Sequence, residues 1–155
     1  MAQCLAHILG PVLGLLIFAA SAFASAPNDA VQVGKALSYE LGGSIAILED
    51  VTGQLTVDEV RTRLSEFRPS QSSIPNFGQS QSVFWLHFTL SNTAQERLQW
   101  QLRYVHSMMD KIDFYTFKDH QLILHKRGGR QYDNIDQGFA FRHAAFPVAL
   151  DAGET

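Results

Sequence analysis

The chain has 155 residues, a hydrophobic share of 46% and a charged share of 17%. Those are the proportions of one globular domain of ordinary size, not of a disordered segment. The formal net charge is −3 and no run of Lys or Arg stands out, which argues against nucleic acid as a partner.

The first segment reads as an export signal. From Leu5 to Ala20 the chain is largely apolar and holds no Asp, Glu, Lys or Arg, and Ala22-Phe23-Ala24 follows as a small-x-small site. The expectation is a secretory signal peptide over residues 1–24, cleaved after Ala24. The alternative is an uncleaved anchor, although the run is shorter than the ~20 residues of a typical span. The n-region is atypical in having no Lys or Arg. The only cysteine is Cys4, inside that signal. The exported domain therefore has no disulfide framework, no Cys metal site and no Cys nucleophile. Such a domain must be held together by its core, which suits a bacterial periplasm.

Residues 25–40 read as a polar leader and 41–155 as the folded domain. Leu41-Gly42-Gly43 opens an apolar run to Asp50, a buried strand closed by the turn Val51-Thr52-Gly53. Thr56-Val57-Asp58-Glu59 is a capping-box pattern. It predicts a short helix to about Leu64 with Val57, Val60 and Leu64 on one side. Pro69 and the Ser/Gln-rich run from Ser70 end it.

A strand over Phe84–Leu90 follows. Phe84, Leu86, Phe88 and Leu90 make one fully apolar side, read as core. Val83, Trp85, His87 and Thr89 make the other. Leu98–Tyr104 alternates as well, with Leu98, Trp100, Leu102 and Tyr104 against Gln99, Gln101 and Arg103. An antiparallel hairpin that sets Leu90 opposite Leu98 puts every apolar residue on one face. The same register sets Trp85 opposite Arg103 and His87 opposite Gln101. Lys111–Phe117 is a further strand, and Lys118-Asp119-His120 a tight turn into Gln121–His125. After a break at Val105–Asp110 with Met108-Met109 as an apolar plug, and a loop over Gln131–Gly138, the last strand is Ala144–Leu150. Pro147 marks it as an edge or a bulge. Asp151–Thr155 reads as a turn expecting another strand, so the domain is expected to be truncated there. Short strands with one brief helix predict an all-β sandwich.

Trp85, His87, Gln101, Arg103 and Tyr115 are the candidate ligand-binding residues. A sugar packs its C–H face on an aromatic ring while Arg, Gln and His meet its hydroxyls. The plainer reading is that Trp85 covers the sheet and Arg103 stacks on it. Six histidines, His7, His87, His106, His120, His125 and His143, share no ligand spacing. Asp50, Asp58, Glu59, Asp110 and Asp113 form no calcium loop, and Asp58 and Glu59 suit the first turn of a helix. No metal site, cofactor or catalytic motif is therefore expected.

The signal, Gly42-Gly43 with Leu48-Glu49-Asp50, Pro75-Asn76-Phe77-Gly78, Val83–Asn92, Asp113-Phe114-Tyr115, Phe146-Pro147 and Ala152-Gly153-Glu154 together resemble one known family. It is the second type of periplasmic sensor domain in bacterial seven-transmembrane receptors with diverse intracellular signalling modules. The resemblance covers most of Gly42–Glu154. It implies a jelly-roll β-sandwich akin to carbohydrate-binding modules. It also implies a longer receptor, in which this domain precedes seven membrane helices and a cytoplasmic diguanylate cyclase, histidine kinase or adenylate cyclase-type output. An Arg-Pro pair expected near Asp136-Gln137 is missing. The leading expectation is a non-enzymatic periplasmic sensor of a small-molecule or carbohydrate ligand. The alternative is a free secreted carbohydrate-binding or adhesion module.

Overall fold

A computed structural model describes residues 29–104, 109–132 and 144–155. The expected signal peptide, the plug at Met108, the loop beyond Tyr132, the site of the missing Arg-Pro pair, and His7, His106 and His143 lie outside the described residues. The architecture is all-β, in keeping with the expected sandwich. Among the described residues nine strands run in chain order: β1 (Val31–Val33), β2 (Ala46–Asp50), β3 (Arg68–Pro69), β4 (Val83–His87), β5 (Leu90–Asn92), β6 (Leu98–Tyr104), β7 (Ile112–Lys118), β8 (Gln121–Gly128) and β9 (Ala144–Leu150). An α-helix, α1 (Val57–Thr62), followed by a 3-10 turn over Leu64–Glu66, lies between β2 and β3. The strands form four small sheets, β1-β5, β3-β2-β4, β6-β9 and β7-β8.

Local signals translate directly into local structure. Asp50, at the end of β2, accepts from the backbone N–H groups of Thr52, Gly53 and Leu55 at 3.1, 2.9 and 2.9 Å and from the Thr52 hydroxyl at 2.7 Å. Burial works against its ionisation, but these donors outweigh it and hold the carboxyl below the usual carboxylate range. The capping box forms as expected: the Thr56 hydroxyl accepts from Glu59 N–H, and the Glu59 carboxylate accepts from Thr56 N–H at 2.8 Å. Gly42 sits so close to the loop at Ser73 that a Cβ there would collide with the Ser73 carbonyl.

Strand pairing departs from the expected hairpin. The strand expected over Phe84–Leu90 stops at His87, and β5 begins at Leu90 after a break at Phe88-Thr89. β4 pairs antiparallel with β2, setting Trp85 opposite Leu48 and His87 opposite Ala46. β5 pairs in parallel with β1, a strand inside the stretch assigned to the leader. β6 pairs antiparallel with β9, setting Leu98, Trp100, Leu102 and Tyr104 opposite Leu150, Val148, Phe146 and Ala144. This register obeys the same rule that suggested the hairpin, matching apolar alternation to apolar alternation. β9 offers the better match because Ala144, Phe146, Val148 and Leu150 are all buried. Pro147 sits in a two-stranded sheet, where a missing N–H is tolerated.

The buried side of β4 is also the reverse of the expected one. Ala46, Leu48, Val60 and Phe67 form one core cluster, and Trp85 packs against it. His87 meets Phe67 edge-on at 5.8 Å between ring centroids. Leu86, on the side expected to be core, is 37% exposed. Phe84 on that side is half-buried and stacks on Phe77 at 4.2 Å. Both sides of β4 carry large rings. The side that faces β2's small and aliphatic residues and the Phe67 ring becomes core. A second cluster gathers Val33, Val148 and Leu150, with Leu90, Leu98, Trp100, Leu102 and Phe114 against it.

Asn92 is 1% exposed yet fully engaged. Its Nδ2 donates to the carbonyls of Glu96, Asp151 and Leu150 at 2.8, 2.9 and 3.2 Å. Its Oδ1 accepts from Ala94 N–H at 2.8 Å, and its own N–H donates to Glu154 O at 2.7 Å. Within low-dielectric surroundings such a satisfied network fixes one arrangement.

Candidate functional site

β7 and β8 form a hairpin whose two faces differ in chemistry. Tyr115 lies opposite His125 and Asp113 opposite Arg127, so these four share one face. Phe114 lies opposite Lys126 and Thr116 opposite Leu124 on the other. The register shifts between Thr116 and Phe117, leaving Ile123 as the extra residue of a bulge. The connecting turn places Asp119 and His120 at φ of 48° and 65°. That is the left-handed pair of a two-residue hairpin turn, usually occupied by Asn and Gly.

The first face carries a stacked column. Trp85 of β4 stacks on Tyr115 at 6.4 Å with planes 26° apart, and Tyr115 stacks on His125 at 4.3 Å and 11°. The His125 Nε2 lies 2.8 Å from Asp113 Oδ1, and the Tyr132 hydroxyl donates to Asp113 Oδ2 at 3.5 Å. Arg127 stands over the Tyr132 ring at 5.3 Å. At the turn, Arg61 of α1 lies 4.1 Å over Phe117 and donates to His120 O at 2.7 Å. The column thus ties the β2-β4 sheet and α1 to the hairpin. Its cost in available surface is high, because the Tyr115 ring is engaged by two other rings. Burial, and then the neighbouring Asp113, push the Tyr115 hydroxyl above the usual phenol value.

The second face borders a groove of about 390 Å³, within the ~300–1,000 Å³ of small-molecule sites. Gln99, Trp100 and Gln101 of β6 line it with Thr116 of β7, Ile123 and Leu124 of β8, and Pro147, Val148 and Ala149 of β9. No residue of this lining carries a charge. Within the described residues the Trp100 indole N–H and the Thr116 hydroxyl are buried without a hydrogen-bond partner. A buried donor left unpaired costs roughly 1–3 kcal/mol; both atoms are closed off behind the lining, the Trp100 ring packing edge-on against Tyr39 at 5.2 Å.

The five sequence-predicted residues therefore divide. Trp85 and Tyr115 meet in the column. His87 turns to Phe67, and burial lowers its pKa below the ordinary histidine value. Gln101 lines the groove. Arg103 is exposed on the same face of β6, opposite Ala145 and not Trp85. Gln99 belongs with Gln101 and Arg103 by simple alternation and was readable from sequence. Thr116 and Ile123 were not, since nothing in the sequence marks the bulge that brings them to the groove. Asp58 and Glu59 occupy the first turn of α1, as expected. Among the described residues no three His, Cys, Asp or Glu side chains gather into a group able to hold a metal. No helix among them is long and apolar enough to cross a membrane.

No curated protein matches the chain. The family model described as 7TMR-DISM extracellular 2 matches residues 42–155, a span that contains β2 through β9 and hence both faces of the hairpin. This chain belongs to the 7TMR-DISM extracellular 2 family, a family of extracellular sensor domains of receptors.

Proposed function

We propose that this domain is the non-enzymatic, periplasmic ligand-sensing part of a transmembrane signalling receptor, and that its small-molecule or carbohydrate ligand binds in the groove beside β6. The observation that carries the reading is the groove itself, of small-molecule size and lined by residues without charge. Gln101 contacts the ligand directly and Arg103 meets the part that projects past the groove. Trp85, Tyr115 and His87 act from behind, holding the hairpin to the β2-β4 sheet. Family membership supports the linkage to membrane-spanning and signalling domains, of which a diguanylate cyclase or a histidine kinase is the proposed output. The export signal over residues 1–24 supports the periplasmic placement. A ligand that binds one packing of the hairpin better than another would bias the receptor toward that packing.

The test is a glycan array run beside a thermal-shift screen of small metabolites, comparing the wild-type chain with Gln101→Ala/Arg103→Ala. Binding should disappear in the double variant while circular dichroism stays that of the wild type. Unchanged binding by the double variant sinks the assignment of the site.

A further inference from the structure

We infer that the outer face of the β3-β2-β4 sheet is an interface for a second copy of this chain. The register sets Arg68 opposite Ile47 and Ile47 opposite Leu86 in one row, and Glu49 opposite Phe84 in the next row on the same side. The other side of these strands is filled: Ala46, Leu48 and Phe67 form a core cluster there, and Trp85 packs against it. Among the described residues neither core cluster includes Ile47, Phe84 or Leu86. Phe77 stacks on Phe84 from the loop before β4, and Leu86 is 37% exposed. A face of aliphatic and aromatic side chains thus looks outward from a sheet whose core lies on its other side. Single exposed apolar residues are ordinary, but a joined set rimmed by charge is the pattern of a contact surface.

The two charges on this face select the occupant. Arg68 and Glu49 are both exposed and lie diagonally on either side of Ile47. The Ser82 hydroxyl donates to Glu49 at 2.7 Å. Arg68 donates through Nη1 to the carbonyls of Ser65 and Phe67 at 3.2 and 3.3 Å. Each charge is thereby held at the rim. A patch with one charge of each sign is its own complement. A two-fold axis in the plane of contact, midway between Arg68 and Glu49 and perpendicular to the line joining them, sets Arg68 of each copy against Glu49 of the other. The same axis runs between Ile47 and Leu86, so these meet their own counterparts near the centre. The dimer has an apolar centre and an ion pair on each side of it. A face this small falls short of the roughly 20–30 residues a side of a standard interface, so association is weak and depends on concentration. The groove lining shares no residue with this face, so dimerisation and ligand binding are tested separately.

The experiment is sedimentation velocity on the full chain from about 10 µM to about 1 mM. The sedimentation coefficient should rise with concentration. Leu86→Asp should weaken association at least about tenfold. Arg68→Glu and Glu49→Arg each set like charges together at both contacts, and each should weaken it about tenfold. Mixing these two single variants should restore association to within about threefold of wild type, as should the double reversal Arg68→Glu/Glu49→Arg. Such restoration requires folded chains, which separates a lost contact from a lost fold. A chain that stays monomeric at the highest concentration overturns the proposal. So does a dimer that Leu86→Asp leaves intact, or one that the single reversals weaken and their mixture does not rescue.

Discussion

The two faces of the β7-β8 hairpin use the same kinds of side chain to opposite ends. On one, rings stack on rings: Tyr115 meets both Trp85 and His125, and Asp113 lies 2.8 Å from the His125 Nε2. On the other, uncharged amides and aliphatic residues border open space. An unpaired indole N–H does not by itself separate them, because Trp85 carries one as well as Trp100. What separates them is the cavity beside Trp100, whose lining residues carry no charge. Stacked aromatic rings mark the part that ties the layers together; an unfilled groove lined by uncharged residues marks the part proposed to receive a ligand.

This contrast can be broken most directly at Tyr115. Tyr115→Ala removes the middle ring of the column and should cost about 3 kcal/mol of stability in urea unfolding. A loss below about 1 kcal/mol would mean that the column does not join the sheets. Next comes His87, beneath the same layer. Its folded pKa lies below the ordinary value of about 6.5, so at acid pH the unfolded chain binds the extra proton. Stability from this site is therefore present above the unfolded pKa and is lost as pH falls through about 6.5 toward the lower folded value. His87→Phe should flatten stability over that window, and an unchanged slope would show that the imidazole is not buried as a neutral ring.

His125→Ala should cost less, roughly 0.5–1 kcal/mol, since its pairing with Asp113 is solvent-exposed. Gln101→Ala defines the other end of the scale: stability within about 0.5 kcal/mol of wild type, with binding in the glycan and metabolite screens weakened. A destabilised Gln101→Ala protein would move the groove back into the structural half of the comparison.

Much of this fold was legible locally. The capping box at Thr56, the strand bounds around Leu98–Tyr104, the turn at Asp119-His120 and the edge character implied by Pro147 all follow from short-range chemistry. Pairing was not legible, because β4, β6 and β9 all alternate apolar residues and any two could be matched in register. The decision falls to partners far along the chain: Ala46 and Leu48 for β4, Phe146 and Val148 for β6. The candidate site suffered for the same reason. Gln101 and Arg103 were grouped by the alternation of one strand and remain together. Trp85 and His87 were joined to them through a strand pairing that does not form.

The Asn92 amide has a mechanical consequence. It holds the carbonyls of Leu150 and Asp151 while its backbone N–H holds Glu154. Lys118 adds ion pairs from the hairpin to Asp151 and Glu154 at 3.6 and 3.0 Å. Tension applied at Thr155 therefore cannot peel β9 away one residue at a time. It is shared at once between β5 and the hairpin, so that stretch of chain behaves as a rivet and not as a zipper.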